Sequence, residues 1–151
     1  MAGEQKDSTL REVEALLPQP IHETFDLIYG TSTGSIIATL LATGRSVGEI
    51  HELYKEHVPP IMRASGRAAK TARLRETGRQ VFGDAGFDTA LTGLGIVSTK
   101  WQLETPMIFK SRETQAHGRR ATFVPGFGCK LADAIEASCS AYPFFEIKTK
   151  P

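Results

Sequence analysis

The stretch Phe25-Asp26-Leu27-Ile28-Tyr29-Gly30-Thr31-Ser32-Thr33-Gly34-Ser35-Ile36-Ile37-Ala38 decides the fold. It reads as a short apolar strand over residues 25–29, a tight Gly-x-Ser-x-Gly turn and an apolar helix. That order is the context of a nucleophile elbow, in which a sharp turn lifts a serine hydroxyl clear of the sheet and a helix begins beneath it. On this reading Ser32 is the candidate nucleophile, and Gly30, Thr31, Thr33 and Gly34 form the elbow around it. A side chain at Gly30 or at Gly34 is expected to crowd the strand-to-helix crossing. The helix N-terminus supplies unpaired N–H groups and a positive dipole end, which favour negative charge developing near the serine. The N–H of Thr33, the residue after the serine, is the candidate oxyanion donor. The other reading of these residues is an ordinary βα turn with a solvent-facing serine.

Outward from the elbow, helices and strands alternate. Thr9 and Glu12 fit a capping box that opens a short amphipathic helix with Leu10, Val13 and Leu17 on one side, stopped by Pro18 and Pro20. Residues 21–24 read as a brief connection. The elbow helix carries Ile36, Ile37, Leu40 and Leu41 on one side with small residues elsewhere, and Gly44 is its expected stop. Ser46 and Glu49 form a second capping box, opening a helix through Ile50, Leu53 and Tyr54 that Pro59 and Pro60 are expected to close. Residues 81–95 read mainly as loop with a short helix near 88–91. Residues 95–99 and 106–110 are strand candidates, 111–120 an exposed loop, 130–140 a helix stopped by Pro143, and 144–147 the start of a further strand. Strands alternating with helices argue for an α/β layered fold.

The chain has 151 residues, which bounds it to a single domain. A net charge of +1 leaves no global field to attract nucleic acid, and no nucleic-acid partner is expected. The first twenty residues hold charges throughout and lack a signal-type apolar run, and no stretch is long and apolar enough to span a bilayer. Cys129 and Cys139 match no zinc spacing or disulfide framework and read as reduced thiols, which makes the cytoplasm the expected location. No metal-ligand cluster is present, and no cofactor is expected. Charge is locally uneven: residues 63–79 hold Arg63, Arg67, Lys70, Arg73, Arg75 and Arg79 against a single acid, Glu76. This is either a solvated helix face or a basic surface that meets anionic lipid head groups at a membrane periphery.

Residues 25–38, with Gly-Thr-Ser-Thr-Gly at their centre, resemble the nucleophile elbow of the patatin-like phospholipase family. The likeness continues in Ala134-Ile135-Glu136-Ala137-Ser138-Cys139-Ser140-Ala141-Tyr142-Pro143-Phe144-Phe145, which resembles the family's Ala-Ser-x-Ala-x-Pro-x-Phe segment near the active site. Between them, residues 95–110 resemble its central strands. Ser35 stands where a glycine often follows the motif, and a serine is small enough for close helix packing. The resemblance implies a three-layer α/β/α fold, partial in this chain, and an acyl hydrolase that cleaves ester bonds of phospholipids or other lipids. Its chemistry is a Ser–Asp dyad whose serine carries over to Ser32.

The resemblance also implies parts that these residues lack. The family's glycine-rich oxyanion loop would precede Leu10, and its Asp-Gly-Gly or Asp-Gly-Ala would follow Pro143; neither is found in 1–151, which therefore reads as an incomplete domain of the family. Asp84-Ala85-Gly86 is the nearest imitation but lies on the wrong side of the Ala-Ser-x-Ala-x-Pro segment, and Asp133 reads as a helix surface residue. Without base and loop, the chain alone is expected to be weakly active or inactive. Its elbow strand is expected to present an open apolar edge that favours self-association. Two alternatives stand beside this reading. One is a Ser–His–Asp esterase of α/β-hydrolase order, with Asp84 or Asp88 as the acid and His117 as the base. The other is a non-catalytic homologue that binds lipid or a partner through its basic stretch.

Overall fold

The computed structural model describes residues 2–100, 103–118, 120–140 and 145–146, with the backbone alone for 2–8. In order, the elements are α1 (Ala2–Leu16), α2 (Ile21–Thr24), β1 (Leu27–Thr31), α3 (Thr33–Ala42), α4 (Val47–Arg63), α5 (Arg67–Phe82), β2 (Gly93–Lys100), β3 (Thr105–Lys110) and α6 (Leu131–Cys139). The strands form one sheet in the order β1-β2-β3. β1 and β2 are parallel, with Thr31 opposite Val97, and the crossover between them carries α3, α4 and α5. β2 and β3 are antiparallel, with Ile96 opposite Phe109. This is an α/β fold with a partial α/β/α layering.

The strand pleat sorts the sheet's two faces. Leu94, Ile96 and Phe109 are buried together with Ala38 and Ala42 of α3 and Leu131, Ala134 and Ile135 of α6. Leu40 and Leu41, on another side of α3, pack with Val47 and Ile50 of α4 and with Ile21. α3 is therefore enclosed nearly all round, which explains why its small residues are buried as deeply as its leucines; Ile36 and Ile37 are only partly buried. At its C-terminus the Gly44 N–H donates to the Leu41 carbonyl and the Arg45 N–H to the Leu40 carbonyl, with Gly44 at φ 92°, the pairing of a Schellman stop.

Several element ends differ from the sequence reading. β1 begins at Leu27 instead of Phe25, because residues 21–24 form a helical turn whose last bond is donated by the Phe25 N–H to the Ile21 carbonyl. α1 runs back to Ala2, so Thr9 and Glu12 lie inside a helix rather than at its start. α4 runs through Pro59 and Pro60 to Arg63. The two missing N–H donors are tolerated because the next turn carries Ile61 into the core beside Leu74. The short helix near 88–91 is instead a 3-10 turn at Phe87–Thr89, and the 111–120 segment includes a 3-10 turn at Glu113–Gln115. Of the strand expected at 144–147, Phe145 and Glu146 are outside any strand; the rest, like Pro143, lies outside the described residues. The Ser46–Glu49 capping box forms as expected, and Glu14 adds a tie by accepting the Val47 N–H from α1.

Candidate active site

The elbow is built by close backbone approach. β1 ends at Thr31, α3 begins at Thr33, and Ser32 between them takes φ 52° and ψ −130°. Only Glu104 and Phe127 share a positive φ among the described non-glycine residues. Such a backbone is strained for a residue with a Cβ and persists only where the surroundings over-determine it. Gly30 is part of that setting: a Cβ there would lie 2.2 Å from the Gly34 carbonyl oxygen. Gly34 is not, since a Cβ built on it meets nothing within 4 Å. The expectation that both glycines are required by the crossing is thus corrected; only Gly30 lies where two backbones meet.

Ser32 is half-buried, and its Oγ has no hydrogen-bond partner among the described residues. Its carbonyl accepts from the Ser35 N–H at 2.8 Å and the Ser35 hydroxyl at 2.6 Å, so the serine at 35 closes the turn. The Thr33 and Gly34 N–H groups lie at the open N-terminus of α3 with no acceptor among the described residues. They are the donors that a helix start leaves unused. The Thr33 carbonyl accepts from the Tyr54 hydroxyl at 2.9 Å, which ties the elbow to α4.

From the other side α6 closes on the elbow. The Ser32 N–H donates to Ser138 Oγ at 2.8 Å, and the Ser138 hydroxyl donates to the Val97 carbonyl at 2.5 Å. One residue earlier, the Ala137 carbonyl accepts from the Ser98 hydroxyl at 2.9 Å. Both sequence motifs that carried the resemblance therefore meet at the end of the parallel strand pair. Residues 141–144 of the second motif lie outside the described residues. Sequence reading missed Ser138 as a contact of Ser32; Ser138 lies within the second motif, where nothing local marks that contact.

The structure does not bring the Ser–His–Asp candidates to Ser32. Gln115, two residues before His117, donates to the Leu94 carbonyl, whereas Ser32 follows Thr31 opposite Val97. Those positions on β2 are three residues apart, about 10 Å along a strand, and the exposed His117 lies off the opposite end of the sheet. Asp84 pairs with Lys130 at the start of α6, eight residues before Ser138 and so about 12 Å along the helix. Lys130 holds the Asp84 carboxyl below the usual carboxylate range. Asp88 is exposed in the 3-10 turn at the same end, beside the Gly86–Lys130 bridge. His22 lies 3.8 Å from Glu23, and His57 lines a groove of about 530 Å³ with Arg45, Glu49, Glu52 and Glu56, none of them an elbow residue.

The basic stretch of 63–79 falls on the end of α4 and along α5. Arg63, Arg67, Arg73 and Arg79 are exposed. Arg75 is committed instead to α6, where its Nε and Nη2 donate to Glu136, a carboxylate only 4% exposed. Neither Cys129 nor Cys139 is in a disulfide, and burial pushes the Cys139 thiol up to about 11. No group of three or more potential metal ligands occurs among the described residues, and no described helix is long and apolar enough to cross a membrane.

A mixed sheet with an enclosed helix and a strained serine at the crossing defines an α/β protein of the elbow type. The patatin-like phospholipase family profile matches residues 9–151, and the chain belongs to that family. It is also 55% identical over 139 residues to a cUMP-AMP-activated phospholipase of Escherichia coli. That match covers 92% of this chain and 43% of the relative, so the chain spans less than half the length of the curated relative it matches.

Proposed function

We propose that residues 1–151 form the nucleophile-bearing part of a lipid acyl ester hydrolase, with Ser32 as nucleophile. The observation that carries this reading is the strained Ser32 backbone, which sets a half-buried hydroxyl beside the open Thr33 N–H at the start of α3. In the step this geometry supports, Ser32 Oγ attacks the carbonyl carbon of a fatty acyl ester. The Thr33 N–H then donates to the developing oxyanion, and the helix dipole favours the charge. The alcohol leaves, and water releases the acyl group from the serine.

A serine hydroxyl needs a base to accept its proton, and in the family's dyad that base is an aspartate. No carboxylate or imidazole bonds to Ser32 Oγ among the described residues. Each missing oxyanion donor typically costs a further factor of about 10²–10³. We therefore expect lipid ester hydrolysis by this chain alone to be weak or nil. The E. coli relative is named for activation by cUMP-AMP, and we extend control by such a nucleotide to this protein. Exposed Arg63, Arg67, Arg73 and Arg79 support peripheral contact with anionic head groups from the cytoplasmic side.

The test is labelling with a fluorophosphonate that phosphonylates activated serines. Slow labelling that maps to Ser32 and vanishes in Ser32→Ala is the expected outcome. His117→Ala should leave it unchanged, because His117 lies at the far end of the sheet. A chain that never labels, yet binds anionic vesicles in a salt-sensitive way, is instead the non-catalytic lipid binder.

A further inference from the structure

We infer that Ser138 is the positioning residue that holds Ser32 in its strained, reactive backbone conformation. The inference rests on the reading of Ser32 as nucleophile. Ser32 leaves the strand with φ 52°, a region that residues with a Cβ rarely occupy. At that point the last amide of the strand turn must find an acceptor, and Ser138 Oγ provides it at 2.8 Å, from 106 residues further along the chain. The same hydroxyl passes its own proton to the Val97 carbonyl at 2.5 Å, opposite the end of β1. One hydroxyl thus accepts once and donates once, bridging the elbow to the central strand.

The bridge is held in place, because α6 is anchored in the two residues just before it. The Ser98 hydroxyl donates to the Ala137 carbonyl, and Arg75 clasps Glu136 two residues before Ser138. Ser138 also divides the amides of the elbow. It consumes the Ser32 N–H and leaves those of Thr33 and Gly34 for an oxyanion. Without the hydroxyl, the Ser32 N–H loses its acceptor. The backbone can then relax toward an ordinary N-cap with negative φ, swinging Oγ away from the Thr33 N–H. Ser138 touches no reacting atom in this scheme; it acts through the backbone of Ser32.

Amide hydrogen exchange at Ser32 and fluorophosphonate labelling of Ser32 test the role in the 151-residue chain. Ser138→Ala, and Ser138→Cys as a near-isosteric second variant, should each speed Ser32 amide exchange and slow labelling by about tenfold or more. The buried Ile96 amide serves as the control for general loosening and should not move. Ser138→Thr, which keeps the hydroxyl, should restore both readouts. An unmoved Ser32 amide in both the alanine and cysteine variants overturns the role of Ser138. So does faster exchange with undiminished labelling. Labelling that survives Ser32→Ala sinks the nucleophile reading itself and the positioning role with it, an outcome distinct from the other two.

Discussion

A methyl group on Gly30 would lie 2.2 Å from the Gly34 carbonyl oxygen and 2.7 Å from the Ser35 Cα, contacts that no side-chain rotation can relieve. Gly30→Ala should therefore force the strand and helix apart, at a cost of about 1–3 kcal/mol or more. Gly34→Ala should stay within about 1 kcal/mol of the parent and can be stabilising, because the position is helical, uncrowded and better served by alanine. Denaturant melts of the two variants check this, and equal losses would show that the crossing is not where the structure puts it. The five-residue motif could not separate the two glycines, since spacing says nothing of which one meets a backbone. Ser32 was legible for the opposite reason. The sharp turn at it, its helix start and its flanking strand are all local consequences of fourteen consecutive residues. Ser138 was not legible as a contact of Ser32, since a bond across 106 residues leaves no trace in local pattern.

At the scale of elements, α6 holds the elbow from one side and α5 holds α6. The link is the guanidinium of Arg75, half-exposed, on the buried carboxylate of Glu136. Glu136 in turn raises the pKa of Arg75, chiefly through the hydrogen bonds between them. Arg75→Ala would leave a carboxylate buried without its arginine, a loss of about 1–3 kcal/mol. Arg75→Lys should recover only part of it, because one ammonium cannot reproduce the paired donors of the guanidinium. Urea unfolding of the two variants would test this; an alanine variant as stable as the parent would show that α6 is held by its apolar face alone. Sequence reading placed Arg75 in a basic run that could be solvated or lipid-facing. It had no means to see that one of the five arginines reaches a buried carboxylate, because Glu136 lies 61 residues away. The elements themselves were well marked by periodicity and capping, as Ser46 with Glu49 shows. Their ends were less so. Pro59 and Pro60 are local stop signals, but the burial of Ile61 in the next turn outweighs them.

In the whole molecule, the side chains that make the α3 and α6 side of the sheet a core leave β1 at its margin. β1 pairs with β2 alone among the described strands. Leu27 and Tyr29 lie across Gly93 and Gly95 of β2 and are each 44% exposed, with Phe25 at 45% just before them. An apolar strand with one row of unpaired N–H and C=O groups is a template for another chain. The sequence reading expected an open apolar edge on this strand, which it placed two residues early. We expect the isolated chain to associate through β1, so that sedimentation gives an average mass that rises with concentration. Leu27→Lys should return it to a monomer. A lysine on an edge strand resists desolvation and repels its own copy, and the half-exposed position can take the longer chain without opening the core. Ile28→Lys is an unsuitable control, since Ile28 packs into both apolar clusters. Thr105→Lys is better, because Thr105 is exposed on β3 at the other side of the sheet, and it should leave the association unchanged. A parent chain that stays monomeric at every concentration would remove the proposal. If Thr105→Lys disperses the oligomer as well as Leu27→Lys does, general charge is responsible and the β1 edge is not.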